Sequence, residues 1–265
     1  MASPDKPATR ESALKSIANF AADIGNGDQR IIAKAASLVE DFELVVSELK
    51  PLLGEPVKSP PIIGITGSPG VGKSTTTNAL INLIHKSGES VAIVAIDPSS
   101  AITGGALLGD RIRLTHHFSD KKVFIRSLAT RGALGGLSKA TDSVVYILAV
   151  AGFDNVIIET VGVGQSEVEV MRVVDTVLVV LAPGMGDGIQ ASKAGLLEIG
   201  DIYLVNKSDR EGADQTAQDI SRSIEMSPPK TVAGKPWIPP VLLGAMQNGN
   251  GVVELMDGIE RHRNG

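Results

Sequence analysis

The sequence predicts an α/β fold: a doubly wound, mostly parallel sheet of about seven strands, preceded by a small helical extension. Three observations carry this. From Ile62 onward short continuous apolar runs alternate with helical stretches, the first run leads into a glycine-rich turn, and glycine is abundant (29 residues) while aromatic side chains make up only 3%. Runs without polar alternation suit strands covered on both faces, and the intervening helices supply the crossovers that parallel strands require.

The elements follow in order. Residues 11–50 read as helical: Leu14, Ile17, Ala18 and Ala21 share one face, and Ile32, Ala35, Leu38 and Val39 recur after the break at Gly25-Asn26-Gly27-Asp28. Pro51, Gly54, Pro56, Pro60 and Pro61 then mark a linker, since none of them suits a helix interior. Seven strand candidates come next: IIGIT (62–66), SVAIVAID (90–97), KVFIRSLA (122–129), NVIIETVG (155–162), TVLVVLAP (176–183), IYLVNKSD (202–209) and PVLLGA (240–245). A last helix is expected over 252–261. This divides the chain into a helical extension, 1–55, and a nucleotide-binding domain, 56–265.

Composition narrows the function. A chain of 265 residues that is 43% hydrophobic needs no disulfide to hold a core, and it contains no cysteine. Cysteine catalysis, zinc knuckles and iron–sulfur clusters are thereby excluded. The net charge of −5 and the lack of a clustered basic face argue against nucleic acid as a partner. The opening MASPDKPATR lacks the charged-then-apolar order of a signal peptide, and no apolar run approaches the roughly 20 residues of a membrane span. A cytoplasmic protein without membrane contact is expected.

Gly67-Ser68-Pro69-Gly70-Val71-Gly72-Lys73-Ser74 matches the phosphate-loop pattern G-x-x-x-x-G-K-[ST], followed by Thr75, and it lies between a strand candidate and a helix candidate as that pattern requires. The fold class is therefore that of the P-loop NTPases. Backbone N–H groups of such a loop point at phosphate oxygens, Lys73 would reach the β and γ phosphates, and the Ser74 hydroxyl would ligate Mg²⁺. Asn206-Lys207-Ser208-Asp209 follows a late strand, at the edge where open α/β sheets bind ligands. A carboxylate there accepts from the ring N–H and the exocyclic amine of guanine, a donor pair that adenine lacks, so Asp209 favours GTP and GDP over ATP. Lys207 would lay its stem over the base and Asn206 would brace the loop. Taken alone the four residues also fit an Asn cap with solvated charges.

Asp97 and Glu159 end two strand candidates beside the phosphate loop. With Ser74 they form an oxygen set suited to Mg²⁺, although Asp97-Pro98-Ser99-Ser100 is also a good turn sequence. Glu159-Thr160-Val161-Gly162 resembles the D-x-x-G switch with Glu in place of Asp, and the Gly162 N–H could meet the γ phosphate. No glutamine follows that glycine directly; Gln165 stands three positions on. Asp110 is a candidate to orient water, and Arg111 or Arg113 to meet phosphate charge, with solvated helix charges the competing reading. His85, His116, His117 and His262 share no metal-site spacing and are read as structural.

GITGSPGVGKST, AIDPSSAITGGALLGDRIR, AGFDNVIIETVGVGQSE and LVNKSD, in this order, resemble the methylmalonyl-CoA mutase-associated GTPases, once labelled arginine/ornithine transport ATPases. The likeness covers about 62–262. It implies a GTP-hydrolysing, metallochaperone-like G protein that binds an adenosylcobalamin-dependent acyl-CoA mutase, gates cofactor loading and protects the enzyme. Carried over residue by residue, it implies phosphate contacts from Lys73, metal ligation by Ser74, Asp97 and Glu159, a hydrolytic role for Asp110, and guanine recognition by Asn206, Lys207 and Asp209. Switch loops are implied at 97–113, 159–167 and 184–193. The resemblance also implies further helices past the His-Arg pair that help form a homodimer, whereas this sequence stops soon after His262-Arg263. Competing readings are a nickel-insertion GTPase, whose thiolate or histidine clusters are missing here, a small-molecule kinase, and a transport ATPase.

Overall fold

The computed structural model describes residues 7–97, 117, 120–129, 136–160, 173–184 and 197–265, with residues 136–139 described as backbone alone. The sheet forms from β1 (Ile62–Thr66), β2 (Val91–Asp97), β3 (Val123–Ala129), β4 (Asn155–Thr160), β5 (Thr176–Leu181), β6 (Ile202–Asn206) and a final strand, Val241–Gly244. These are the seven runs expected from sequence. Every pairing in the sheet is parallel, and the order is β3-β2-β4-β1-β5-β6 followed by the final strand, so β1 sits at the centre. The strands β2, β4, β5 and β6 are buried along their whole length, which is why they read as continuous apolar runs.

Side-chain parity divides the core in two. Ile63, Ile65, Ile93, Ile157, Leu178 and Leu204 face α4 (Lys73–Lys86) and the C-terminal helix Val252–Asn264. Ala92, Val94, Ile96, Val156, Ile158 and Val179 face the opposite layer, made of α1 (Arg10–Gly25), α2 (Gln29–Phe42), α3 (Val46–Leu53), α5 (Gly136–Val150) and α6 (Ala213–Glu225). Helices thus cover both faces of a parallel sheet, as a doubly wound fold requires. No described helix is long and apolar enough to cross a membrane.

The helical extension differs from its sequence reading in three ways. Ala18 is exposed; the buried stripe of α1 is Ala13, Ile17 and Ile24. The second helical stretch is two helices, divided where Glu43 takes φ 49°, a left-handed conformation that closes α2. Pro51 lies inside α3, and its missing N–H costs only one bond near the end of an eight-residue helix, so the linker begins at Gly54. These helices share one apolar cluster with α5 and the sheet. Polar contacts add to it: the Arg126 guanidinium on β3 donates to the Ala33 carbonyl (3.2 Å), Ser37 Oγ (3.1 Å) and Glu40 Oε2 (3.1 Å). Glu40 Oε1 accepts from the Ala129 N–H at 3.1 Å, and Ala129 is the register partner of Asp97. The extension is thereby fastened to the strand tip beside Asp97. Because Glu40 and Arg126 are only 11% and 17% exposed, Glu40→Ala should cost about 2–3 kcal/mol, with Glu40→Gln losing less. A urea midpoint lowered at unchanged slope checks this, and an unchanged midpoint refutes it.

The C-terminal region holds a short antiparallel hairpin that the sequence did not announce, β7 (Lys230–Val232) and β8 (Lys235–Trp237), which makes the final sheet strand β9. The helix after it, α7, extends to Asn264, three residues beyond the expected end. It is anchored by buried His262, whose Nδ1 lies 2.9 Å from Thr176 Oγ1 and whose ring packs edge-on to Trp237. Burial pushes the His262 pKa below the ordinary histidine value.

Candidate active site

The phosphate loop connects the C-terminal end of β1 to α4. Its glycines are required by the fold: Gly67 has φ 143°, and a Cβ there would stand 2.2 Å from the Val180 carbonyl oxygen; Gly72 has φ 99°, and a Cβ there would stand 2.2 Å from Asn206 Nδ2. Where α1 and α2 are capped by Thr9 and Asp28, α4 begins at Gly72 with no side-chain cap. A helix start of this kind presents backbone donors and a positive dipole end to an anion. Lys73, buried in the first turn, donates to the carbonyls of Gly67 (2.7 Å) and Ser68 (3.2 Å), so its ammonium lies within the curl of the loop. Pro69 and Gly70 are the exposed part of that curl, Ser68 is half-buried and Val71 is buried.

The NKSD segment is joined directly to this loop. Asn206 ends β6 and is 3% exposed; its Nδ2 donates to the Val71 carbonyl at 3.0 Å, and its Oδ1 accepts from the Met246 N–H at 3.1 Å. Lys207, at φ 60°, donates to the Gly70 carbonyl at 2.6 Å. Asp209 is exposed on the turn that follows, and its side chain makes no hydrogen bond among the described residues. The turn after β9 completes this side: Ser208 N–H donates to the Gly244 carbonyl at 3.0 Å while Met246 holds Asn206. Sequence reading missed this turn because backbone groups do the work and its side chains carry no pattern.

The two strand-end carboxylates come together on one face. Glu159 is the register partner of Ala95 on β2 and Ile65 on β1, and Asp97 lies two residues past Ala95, so both point toward α4. Both are buried, Asp97 at 1% and Glu159 at 4% exposure. Glu159 Oε1 accepts from Ser74 Oγ at 2.7 Å and Oε2 from Thr77 Oγ1 at 2.6 Å. Ser74, Asp97 and Glu159 are all oxygen donors, the chemistry Mg²⁺ prefers. Thr77 was not singled out from sequence. Thr75 lies beside Ser74 in the first turn of α4. Asp110, Arg111, Arg113, Gly162 and most of the three implied switch loops lie outside the described residues.

Comparison with known proteins decides the family. Residues 32–265 match the family described as methylmalonyl-CoA mutase-associated GTPase MeaB. The chain belongs to this family. A Pyrococcus horikoshii protein named as a GTPase is 46% identical over 241 residues, covering 89% of this chain and 74% of the relative. The GTPase ArgK of Escherichia coli is 35% identical over 243 residues, covering 88% and 72%. The Caenorhabditis elegans methylmalonic aciduria type A homolog is 37% identical over 201 residues, covering 74% of this chain and half of that protein. Among solved structures, a LAO/AO transport system kinase superposes with a TM-score of 0.71 at 26% identity, covering 98% of this chain and 77% of that one. Nickel-bound HypB from Helicobacter pylori, at TM-score 0.52 and 17% identity over 78% and 88% of the two chains, shares the fold. As a MeaB-family member the protein is a GTPase and binds guanine nucleotides.

Proposed function

We propose that this GTPase is a Mg²⁺-dependent nucleotide switch that gates cofactor loading into an adenosylcobalamin-dependent acyl-CoA mutase, methylmalonyl-CoA mutase foremost, and protects that enzyme in the cytoplasm. The observation that carries the partner is the match to a mutase-associated family across residues 32–265. The geometry supports the nucleotide half of the reading. Bound phosphates would replace the Gly67 and Ser68 carbonyls as partners of Lys73, and the uncapped first turn of α4 would donate N–H groups to them. Asp209 would read the guanine edge, with Lys207 and Asn206 holding that loop against the phosphate loop.

Ser74, Asp97 and Glu159 would hold Mg²⁺, the carboxylates directly or through water, and Glu159 would also fix the Ser74 hydroxyl. The ion would supply charge neutralisation to the phosphates. Asp110 is assigned to orient the attacking water and Gly162 to sense the γ phosphate.

Without a glutamine directly after Gly162, intrinsic hydrolysis should be slow, leaving the triphosphate state time to find its partner. Docking on the mutase should then accelerate hydrolysis, and mutase affinity should differ between the GDP and GTP-analogue states by about tenfold, since coupling between two sites is reciprocal in binding free energy. Single-turnover GTP hydrolysis with and without the mutase, together with mutase affinity in both nucleotide states, tests this. If neither responds, the mutase role fails and a GTPase with another partner remains.

A further inference from the structure

We propose that Thr77 is a positioning residue for GTP hydrolysis: its hydroxyl fastens one oxygen of Glu159 so that the other can orient Ser74 toward Mg²⁺. The proposal rests on the metal role given to Ser74 and Glu159 above and extends it to a residue with no assigned part.

Three threonines follow one another on α4, and the hydroxyls of the last two do different things. Thr76 Oγ1 donates to the Gly72 carbonyl one turn back at 3.0 Å, the ordinary local bond of a helical threonine. Thr77 has the same bond within reach, the Lys73 carbonyl at 3.2 Å, yet its oxygen stands 2.6 Å from Glu159 Oε2. A hydroxyl has one proton to give, and a separation in the 2.5–2.7 Å range is that of a hydrogen bond to an ionised acceptor. The proton therefore goes to the carboxylate.

Position makes this contact consequential. Ser74 and Thr77 are three residues apart on one helix, so their hydroxyls emerge on the same face and grip the two oxygens of a single carboxylate. Thr77 is fully buried and Glu159 nearly so, which keeps water from replacing a lost donor cheaply. Glu159 also stands where the D-x-x-G pattern has aspartate. Its extra methylene adds a rotatable bond between the strand and the carboxylate. A second fastener removes the freedom that this bond introduces, and Thr77 is placed to be that fastener.

The test is a titration of GDP binding against MgCl₂, with an EDTA arm, on the full chain and on Thr77→Val and Thr77→Ser. Valine keeps the shape and removes the hydroxyl; serine keeps the hydroxyl. Thr77→Val should raise the Mg²⁺ concentration that half-maximally tightens GDP by about tenfold, while metal-free GDP affinity stays within about twofold and Thr77→Ser restores the Mg²⁺ midpoint. An unchanged midpoint in Thr77→Val overturns the proposal alone. So does an equal loss of GDP affinity with and without metal, or a failure of serine to rescue, since either makes Thr77 a packing residue. A wild-type protein whose GDP affinity ignores Mg²⁺ overturns the metal reading itself and this proposal with it.

Discussion

Asp209→Asn should invert the base preference, weakening GTP about a hundredfold and strengthening xanthosine triphosphate. A carboxylate accepts from both guanine donors; an amide accepts from one and donates to the other position, which in xanthine is a carbonyl oxygen. The surroundings make the test clean. Asp209 is exposed and its side chain holds no described partner, so the change should leave stability within about 0.5 kcal/mol. Calorimetry with GTP, ATP and xanthosine triphosphate, beside a thermal midpoint, separates base reading from folding. An unchanged preference would remove Asp209 from the guanine site.

Lys73→Ala should slow single-turnover hydrolysis by about 10²–10³-fold and weaken GTP more than GDP, because its ammonium is assigned to the β and γ oxygens where charge develops. The structure sharpens the comparison. Lys73 also braces the Gly67 and Ser68 carbonyls. If bracing were its whole contribution, the substitution would loosen the loop and weaken both nucleotides alike. Unequal losses therefore mark a phosphate contact, and equal losses mark a loop brace.

What could be read from the chain beforehand follows from where the physics is local. Parallel strands covered on both faces are apolar almost throughout, which made β2, β4, β5 and β6 legible as runs, and the edge strand Val241–Gly244 was legible from its composition although Leu243 is exposed. The phosphate loop was legible because its glycines answer to close approaches, of the Val180 carbonyl to Gly67 and of the Asn206 side-chain amide to Gly72. The hairpin at Lys230–Val232 and Lys235–Trp237 was not. Its turn is Ala233-Gly234, with φ 48° and 79°, lacking the usual Asn or Asp, and its strands are three residues long. The division of the helical extension at Glu43 escaped for a similar reason, since glutamate carries no signal for a left-handed turn.

In the candidate site, side-chain chemistry was legible and partnership was not. Lys73, Asp97, Glu159 and Asp209 could be named from their motifs. Nothing in a run of three threonines distinguishes Thr77 from Thr76; only the register of β4 against β1 brings Glu159 within reach of one of them. The backbone donor at Met246 was equally hidden, because it depends on where a turn sits in space.

Asn206 and Lys207 bind Val71 and Gly70 directly, and with Asp209 assigned to the base and Lys73 to the phosphates this bridge would act as a ruler between the two ends of a nucleotide. A ligand that satisfies both ends gains as a chelate does, because the entropy lost on placing the first end is not lost again for the second. Base identity and phosphate number then cease to be independent variables. Free energies for substitutions at the two ends should fail to add, since shifting Asn206 moves the loop that Lys73 stands on. On those assignments the protein would respond to the span of a whole nucleotide, more than to the sum of its parts.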